Sequence, residues 1–393
     1  MTKLSNDQNG GAASQAAIGP RTAASRKEKS VLAQYKKYEK AKVLRPVEIA
    51  KAAPLNGWLP RGAELKELLA LKHGVVGEQI WRAALMEPVE DLTTRSAKHF
   101  RAQLVRLAYR LTRGTARLSL AARQRCDILA NVVELIHAGS LIVDDIQDGS
   151  TVRRGAPALH IRYGVPLALN AGNWLYFWPF ELIRKAGLSR HREVLAYERC
   201  QCMLLRAHFG QALDVGANIE NIEQEEVPGV CLASMELKSG ALMGFALTLG
   251  GLLADVPERG LCVLDEFGHD LGMSLQMFDD LGNVRGQREP AKQYEDLLLR
   301  RPSWVWACAA QEFSRDDYGR FVEVVRALPK REPLESWLER TGLIETCRRR
   351  AVEHMNAIFE TLAEKLDKEN ISWSREVFRE LREVGKGIAQ AYV

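Results

Sequence analysis

From about residue 60 onward, apolar residues recur at intervals of three and four almost without interruption. "ELKELLALKHGVVGEQIWRAALM" and "ARQRCDILANVVELIHAGSLIVDDIQD" both follow this rule. It is the repeat of one face of an α-helix, not the alternation of a half-buried strand. The breaks are short and carry Gly and Pro, as in "GVP", "EVPG" and "ADVPERG"; these residues punctuate helices rather than continue them. There is no internal repeat and no long linker. The pattern predicts an all-α fold in one large domain, residues 46–393. Residues 1–45 read differently. "MTKLSNDQNGGAASQAAIGPRTAAS" is small, polar and aperiodic, and predicts a disordered or loosely helical tail. The basic stretch that follows, "RKEKSVLAQYKKYEKAKVLRP", predicts a short helix ending near Pro46. Such a helix can make weak contact with a membrane surface, although a solvated face is the commoner role.

Composition narrows the classes. A net charge of +5 over 393 residues implies no dedicated nucleic-acid surface, and no zinc-finger or RNA-binding signature is present. Seven cysteines are scattered. An odd number without paired spacing argues for reduced thiols in a cytoplasmic protein. The most apolar segment, "SGALMGFALTLGGLLA", is shorter than the roughly 20 residues a bilayer helix needs, so no transmembrane segment is expected. The N-terminus has no apolar signal region. It is poor in acids up to Glu28, so an organelle transit peptide stays open.

The stretch "LIVDDIQDGSTVRRGAPALH", residues 141 to 160, sets a chemical problem. An apolar helix ends in Asp144, Asp145 and Asp148, and Arg153 and Arg154 follow in a loop. Asp144 and Asp148 are four apart and share a helix face. Acids at a helix C-terminus oppose the macrodipole, and carboxylates packed together resist ionisation unless cations neutralise them. Mg²⁺ suits such a site, because it takes oxygen ligands and commonly bridges a few carboxylates to substrate phosphates. Guanidinium groups, in turn, bind phosphate oxygens in bidentate fashion. A second acidic patch, Asp279 and Asp280 in "GHDLGMSLQMFDDLGNVRG", also ends an apolar helical run. Gln276 lies one turn earlier, and Asn283 stands where a third acid would match the first patch.

These motifs resemble those of the trans-isoprenyl diphosphate synthases of the polyprenyl synthetase family. "DDIQD…RRGAPALH" is similar to the family's first aspartate-rich motif and "QMFDDLGN" to its second. "GQALD" (210 to 214) and "KSG" (238 to 240) match two further motifs in the expected order, and the likeness runs over roughly residues 60 to 310. The resemblance implies an isoprenoid-synthase helical bundle around a central apolar cavity. It implies head-to-tail condensation of isopentenyl diphosphate with an allylic diphosphate (dimethylallyl, geranyl or farnesyl), with Mg²⁺ held by Asp144, Asp145, Asp148, Asp279 and Asp280. Arg153 would bind the allylic diphosphate and Arg154 the isopentenyl diphosphate. "AKHFRA" (97 to 102) resembles the family's "GKRLRP", and its Lys98 and Arg101, with His137, would complete the isopentenyl site. Lys238, Ser239 and Gln276 would flank the breaking carbon–oxygen bond. Lys292 would contact the allylic diphosphate, and Arg301 replaces a second family lysine. Three departures stand out: the lost Gly and Pro around 97–102, His99 in place of an arginine, and Asn283. A homodimer is the family's default.

The resemblance also frames product length. Gly139 and Ser140, five and four residues before Asp144, lie about 6–8 Å deeper along the helix. The family closes short-chain pockets here with aromatics. Two small residues, with Ile136 below them, predict a product of about twenty carbons, geranylgeranyl diphosphate. Trp174, Phe177 and Trp178 would form a deeper floor or belong to the core, the commoner role of such rings. Two alternatives stay open. A class I terpene cyclase or other prenyltransferase shares the first motif and the fold, but lacks the need for Lys98, Arg101 and His137. A non-catalytic regulatory subunit of a prenyl synthase usually loses the first acidic motif, which is intact here.

Overall fold

The computed structural model describes residues 58–392 except 98, 116 and 287–292. The N-terminal tail, Lys98 and Lys292 therefore lie outside the described residues. The rest is helical apart from one two-stranded hairpin, as the three- and four-residue repeat requires. The main helices are α1 (Phe100–Arg113), α2 (Leu120–Gln147), α3 (Val165–Lys185), α4 (Arg190–Gly216), α5 (Ala241–Leu253), α6 (Glu258–Arg285), α7 (Leu343–Lys368) and α8 (Arg375–Tyr392). Shorter helices connect them, including Val227–Met235 and Trp304–Glu312.

All of α5 is buried; α1, α2, α4 and α6 pack around it, and α7 and α8 cover α6 on the far side. Each fully buried Leu or Phe here, such as Leu249, Phe245 or Leu264, stabilises the fold by about 1.5–3 kcal/mol. Glycines set how closely the axes approach. A Cβ added at Gly268 would lie 2.4 Å from Gly244 Cα, so α5 and α6 touch backbone to backbone. By length and composition, Leu120–Gln147 and Val227–Leu253 could each cross a membrane, but most of each apolar window is buried in the protein.

Two breaks in helical regularity shape the neighbourhood of the acidic patches. Glu236–Gly240 is a π turn inserted between Val227–Met235 and α5. After α2, Val152–Arg153 pairs with Ala156–Pro157 in an antiparallel hairpin. Its two-residue turn is Arg154 and Gly155, both with positive φ (51° and 74°), as the tightest hairpin turns require. Arg95 pins this hairpin: Nη1 donates to the Arg153 carbonyl at 2.8 Å and Nη2 to the Pro157 carbonyl at 2.9 Å, while Asp91 holds its Nε at 3.0 Å. The seven cysteines are all free thiols, and only Cys202 and Cys262 are exposed.

Candidate active site

The C-terminal end of α2 carries Asp144, Asp145 and Asp148, and successive helical residues point about 100° apart. Asp144 and Asp148 therefore face one way and Asp145 another. Asp144 Oδ1 accepts from Gln211 Nε2 at 2.9 Å and from Lys238 Nζ at 3.3 Å. Lys238 Nζ also donates to Asp214 Oδ2 at 2.7 Å. Arg301 pairs with Asp148, and its Nη1 donates to Asp214 at 3.1 Å. Two cations thus bind three carboxylates drawn from α2 and α4. Burial opposes the charge on Lys238, but Asp144 and then Asp214 outweigh it and hold its pKa above the usual lysine value. For Asp144 burial is likewise outweighed, chiefly by Lys238 and Gln211, and its carboxyl stays below the usual range.

Asp145 is turned inward. It is 2% exposed and is gripped by Arg153, with Nε at 2.9 Å and Nη2 at 2.5 Å from Oδ1. Asp145 and Arg153, both expected in the metal and diphosphate site, thus pair with each other, and Arg153 Nη2 also stands 4.0 Å from Asp144 Oδ2. The second acidic patch divides in the same way. Asp280 is buried, accepting from Gln276 Nε2 at 2.8 Å and from the Trp304 backbone N–H at 2.6 Å, while Asp279 is exposed. Gln276 also accepts from Ser239 Oγ at 2.7 Å, so Ser239, Gln276 and Asp280 form one chain leading from the π turn to α6.

Negative charge is in excess here. Burial, then the Asp144 carboxylate, pushes Asp148 up to about 6. Burial, then Asp214 and Asp279, pushes Asp296 up to about 7. The exposed or half-buried donors Asp144, Asp148 and Asp279 are hard oxygen ligands whose repulsion a divalent cation relieves, a set that fits Mg²⁺. Among the described residues no group of three His, Cys, Asp or Glu side chains converges closely enough to hold a metal ion.

Cationic side chains also gather where α1, α2 and the hairpin come together, with Arg101, Arg153 and Arg154 all acting on His137. Arg101 opens α1, and Arg154 donates to the Leu92 carbonyl at 3.2 Å. Burial and the charges of Arg101, Arg154 and Arg153 drive the His137 pKa well below the usual imidazole value, so it is neutral at pH 7. Burial and Arg101 and Arg153 also pull Arg154 down to about 10, against the pull of Glu134.

The product-length residues separate. Ser140 is on the Asp144 face of α2, with its Oγ donating to the His137 carbonyl at 2.9 Å. Ile136 is buried. Gly139 instead faces α3: a Cβ there would lie 2.8 Å from the Gly172 carbonyl oxygen and 2.9 Å from Leu175 Cβ. It is a helix-crossing glycine at the contact of α2 with α3. Phe177 is 71% exposed, whereas Trp178 is buried. Tyr176 feels the Asp144 charge: burial and then that carboxylate push its phenol up to about 12.

Sequence reasoning missed Gln211, Asp214, Glu134, Asp296 and Arg95. Gln211 and Asp214 lie in the "GQALD" segment; their spacing of three on one helix face was the available signal.

The polyprenyl synthetase family model matches residues 82–335. Over 204 residues the chain is 28% identical to a geranylgeranyl diphosphate synthase of Sulfolobus acidocaldarius, covering 51% of this chain and 61% of that one. Over 219 residues it is 31% identical to one of Saccharolobus solfataricus, covering 54% and 65%. The matched stretch thus spans less than two thirds of either relative. In three dimensions it is similar to a Corynebacterium glutamicum geranylgeranyl pyrophosphate synthase complexed with isoprenyl diphosphate and magnesium, with TM-score 0.68, 20% identity, and coverage of 86% and 96%. That likeness concerns the all-α fold. The family model, by contrast, takes in both acidic patches, the hairpin arginines and the π-turn lysine, and the chain belongs to the polyprenyl synthetase family.

Proposed function

We propose that this chain is a Mg²⁺-dependent prenyltransferase that condenses isopentenyl diphosphate with an allylic diphosphate, head to tail, to give geranylgeranyl diphosphate. One observation carries the reading: the Asp144–Lys238–Asp214–Arg301–Asp148 network stands beside a separate cationic pocket around Arg101, His137 and Arg154. Two distinct anion-binding regions suit two diphosphate substrates. A terpene cyclase handles one and has no use for the second pocket.

Lys238 and Arg301, with Lys292, would take the allylic diphosphate and stabilise charge on it as the carbon–oxygen bond breaks. Mg²⁺ held by Asp144, Asp148 and Asp279 would supply Lewis-acid stabilisation of the same leaving group. Arg153 acts one step back, fixing Asp145 and the hairpin. Lys98, Arg101, His137 and Arg154 would hold isopentenyl diphosphate, neutral His137 as a hydrogen-bond donor. The Lys238 carbonyl, Ser239 and Gln276 present oxygen dipoles toward positive charge on the allylic fragment. The departing diphosphate can accept the final proton, so no strong protein base is required. The apolar helices exclude water from the cation.

A homodimer fits this reading. Phe177, Leu205 and Phe209 on α3 and α4 are 71%, 57% and 68% exposed, and Tyr176 and His208, which precede two of them, stack edge to face at 5.1 Å. Light scattering checks the dimer. The activity is tested by incubation with labelled isopentenyl diphosphate, Mg²⁺ and each allylic primer, followed by chromatography of the products. A twenty-carbon diphosphate that requires both substrates supports the reading. A cyclised hydrocarbon from a single substrate, or no turnover with any primer, overturns it.

A further inference from the structure

One buried acid in the cationic pocket takes no part in the proposed chemistry. Glu134 lies on α2, one turn before His137, and is 3% exposed. Its Oε2 is 3.1 Å from His99 Nδ1, and its Oε1 accepts from the Ala102 backbone N–H at 3.1 Å. His99 is in the left-handed region, φ 45°, a conformation disfavoured for a side chain with a Cβ. It immediately precedes α1, whose second residue is Arg101. Glu134 therefore grips the turn from both sides, through the ring before α1 and the amide inside its first turn. This is the segment that lacks the Gly and Pro of the related sequences and carries His99 in place of an arginine.

A neutral amide could make the same two hydrogen bonds without the cost of stripping water from a carboxylate. The charge must therefore have another use. Burial opposes it, but the His99 hydrogen bond and then the Arg101 charge outweigh burial, and Glu134 stays ionised below the usual glutamate range. Arg101 and Arg154 disfavour each other's charge, and Glu134 is the group that offsets this for Arg154.

Resting on the two-diphosphate reading, we propose that Glu134 is a positioning residue for the isopentenyl diphosphate pocket. Its carboxylate pins the turn at His99 and supplies the standing negative charge that keeps Arg101 and Arg154 side by side before substrate arrives. It does not touch the reacting atoms. Its effect is on substrate capture through the two arginines.

The test compares steady-state kinetics of full-length Glu134→Gln, Glu134→Asp, Arg101→Ala and the Glu134→Gln/Arg101→Ala double variant. Removing a charged partner of this kind predicts that Glu134→Gln raises KM for isopentenyl diphosphate about tenfold, with KM for the allylic primer and kcat within about threefold. Glu134→Asp restores the charge and recovers part of the loss. The double variant is less than additive, because both changes act on the same arginine. An equal rise in both Michaelis constants, or a loss confined to thermal stability, overturns the positioning role. If Arg101→Ala raises KM for isopentenyl diphosphate and Glu134→Gln does not, this proposal alone fails. If Arg101→Ala leaves that constant unchanged, the pocket itself is misassigned and both readings fall. Should Glu134→Gln not fold, His99→Ala serves instead. It unpins the turn and is expected to raise the same KM several-fold, and an unchanged value overturns the proposal.

Discussion

Arg153 grips Asp145 with two nitrogens, at 2.9 and 2.5 Å from a single carboxylate oxygen, and stands 4.0 Å from Asp144, so it pairs unequally with two adjacent aspartates. Asp144 keeps an oxygen toward Lys238 and Gln211 in the cleft, whereas Asp145 is spent on the hairpin. Asp144→Asn should lower kcat by about 100- to 1,000-fold and weaken Mg²⁺ activation. Asp145→Asn should leave the Mg²⁺ concentration for half-maximal activity within a few-fold, but cost about 1–3 kcal/mol of stability through the broken pair. Metal titrations of activity and urea melts on both variants check the division.

Ser140 and Gly139 should respond differently to the same replacement. Ser140→Phe puts a ring on the Asp144 face and is expected to shift the product from twenty carbons to fifteen. Gly139→Ala already drives a Cβ to 2.8 Å from the Gly172 carbonyl oxygen. It should cost about 1–3 kcal/mol by overpacking with product length unchanged, and Gly139→Phe should not fold stably. Product chromatography and thermal melts separate the two cases. A Gly139→Ala variant that is fully stable and makes a shorter product would return this residue to the pocket wall.

Arg95 should matter without meeting substrate. It supplies both hydrogen bonds that hold the hairpin carbonyls of Arg153 and Pro157. Arg95→Ala frees the loop that aims Arg154. We expect a tenfold or larger fall in kcat/KM for isopentenyl diphosphate, about 1.4 kcal/mol. Lys at this position keeps the charge, cannot span both carbonyls, and should rescue little.

His354 gives a pH signature away from the cleft. Its Nδ1 lies within hydrogen-bond distance of Ser274 Oγ, at 2.7 Å, and burial holds its pKa below the usual imidazole value against the pull of Asp270. Between that depressed value and about 6.5, the unfolded chain binds more protons at this site than the folded one. Stability is therefore lost as pH falls below about 6.5. Asp270 beside it has a raised pKa, chiefly from burial, and acts in the opposite sense. His354→Gln keeps a partner for Ser274 and removes the titration. Urea midpoints at pH 5.5 and 7.5 should differ less in the variant than in the wild type, and an equal or larger difference would contradict the assignment.

The fold was legible because every major helix carries its own three- and four-residue repeat. The motif acids and arginines were legible because charge at the end of an apolar helix is conspicuous. What was hidden was orientation. Asp144 and Asp145 are neighbours in sequence, yet one faces the cleft and the other the hairpin. Gly139 and Ser140 likewise part, one to α3 and the other to the cleft. Glu134 was hidden because a lone acid inside "ILANVVELIHAG" looks like an exposed charge until the His99 turn folds over it. Tyr176 was hidden among four neighbouring aromatics, of which only a three-dimensional contact can choose one.

The π turn at Glu236–Gly240 limits how this chain can vary. Lys238 and Ser239 sit in that turn, and the wholly buried α5 begins immediately after it. A π turn closes its hydrogen bonds over five residues where an α turn uses four, so removing one residue here would restore a regular helix locally. The helices on either side would keep nearly their present register, because the wide turn is what takes up the extra residue. The change would be local: Lys238 and Ser239 would lose the turn that now places them beside Asp214 and Gln276. The buried core after the turn would tolerate the shortening, so the irregularity is tied to the site and not to the packing, and it marks the one place in this helix where a single lost residue would reach the acids before it reached the fold.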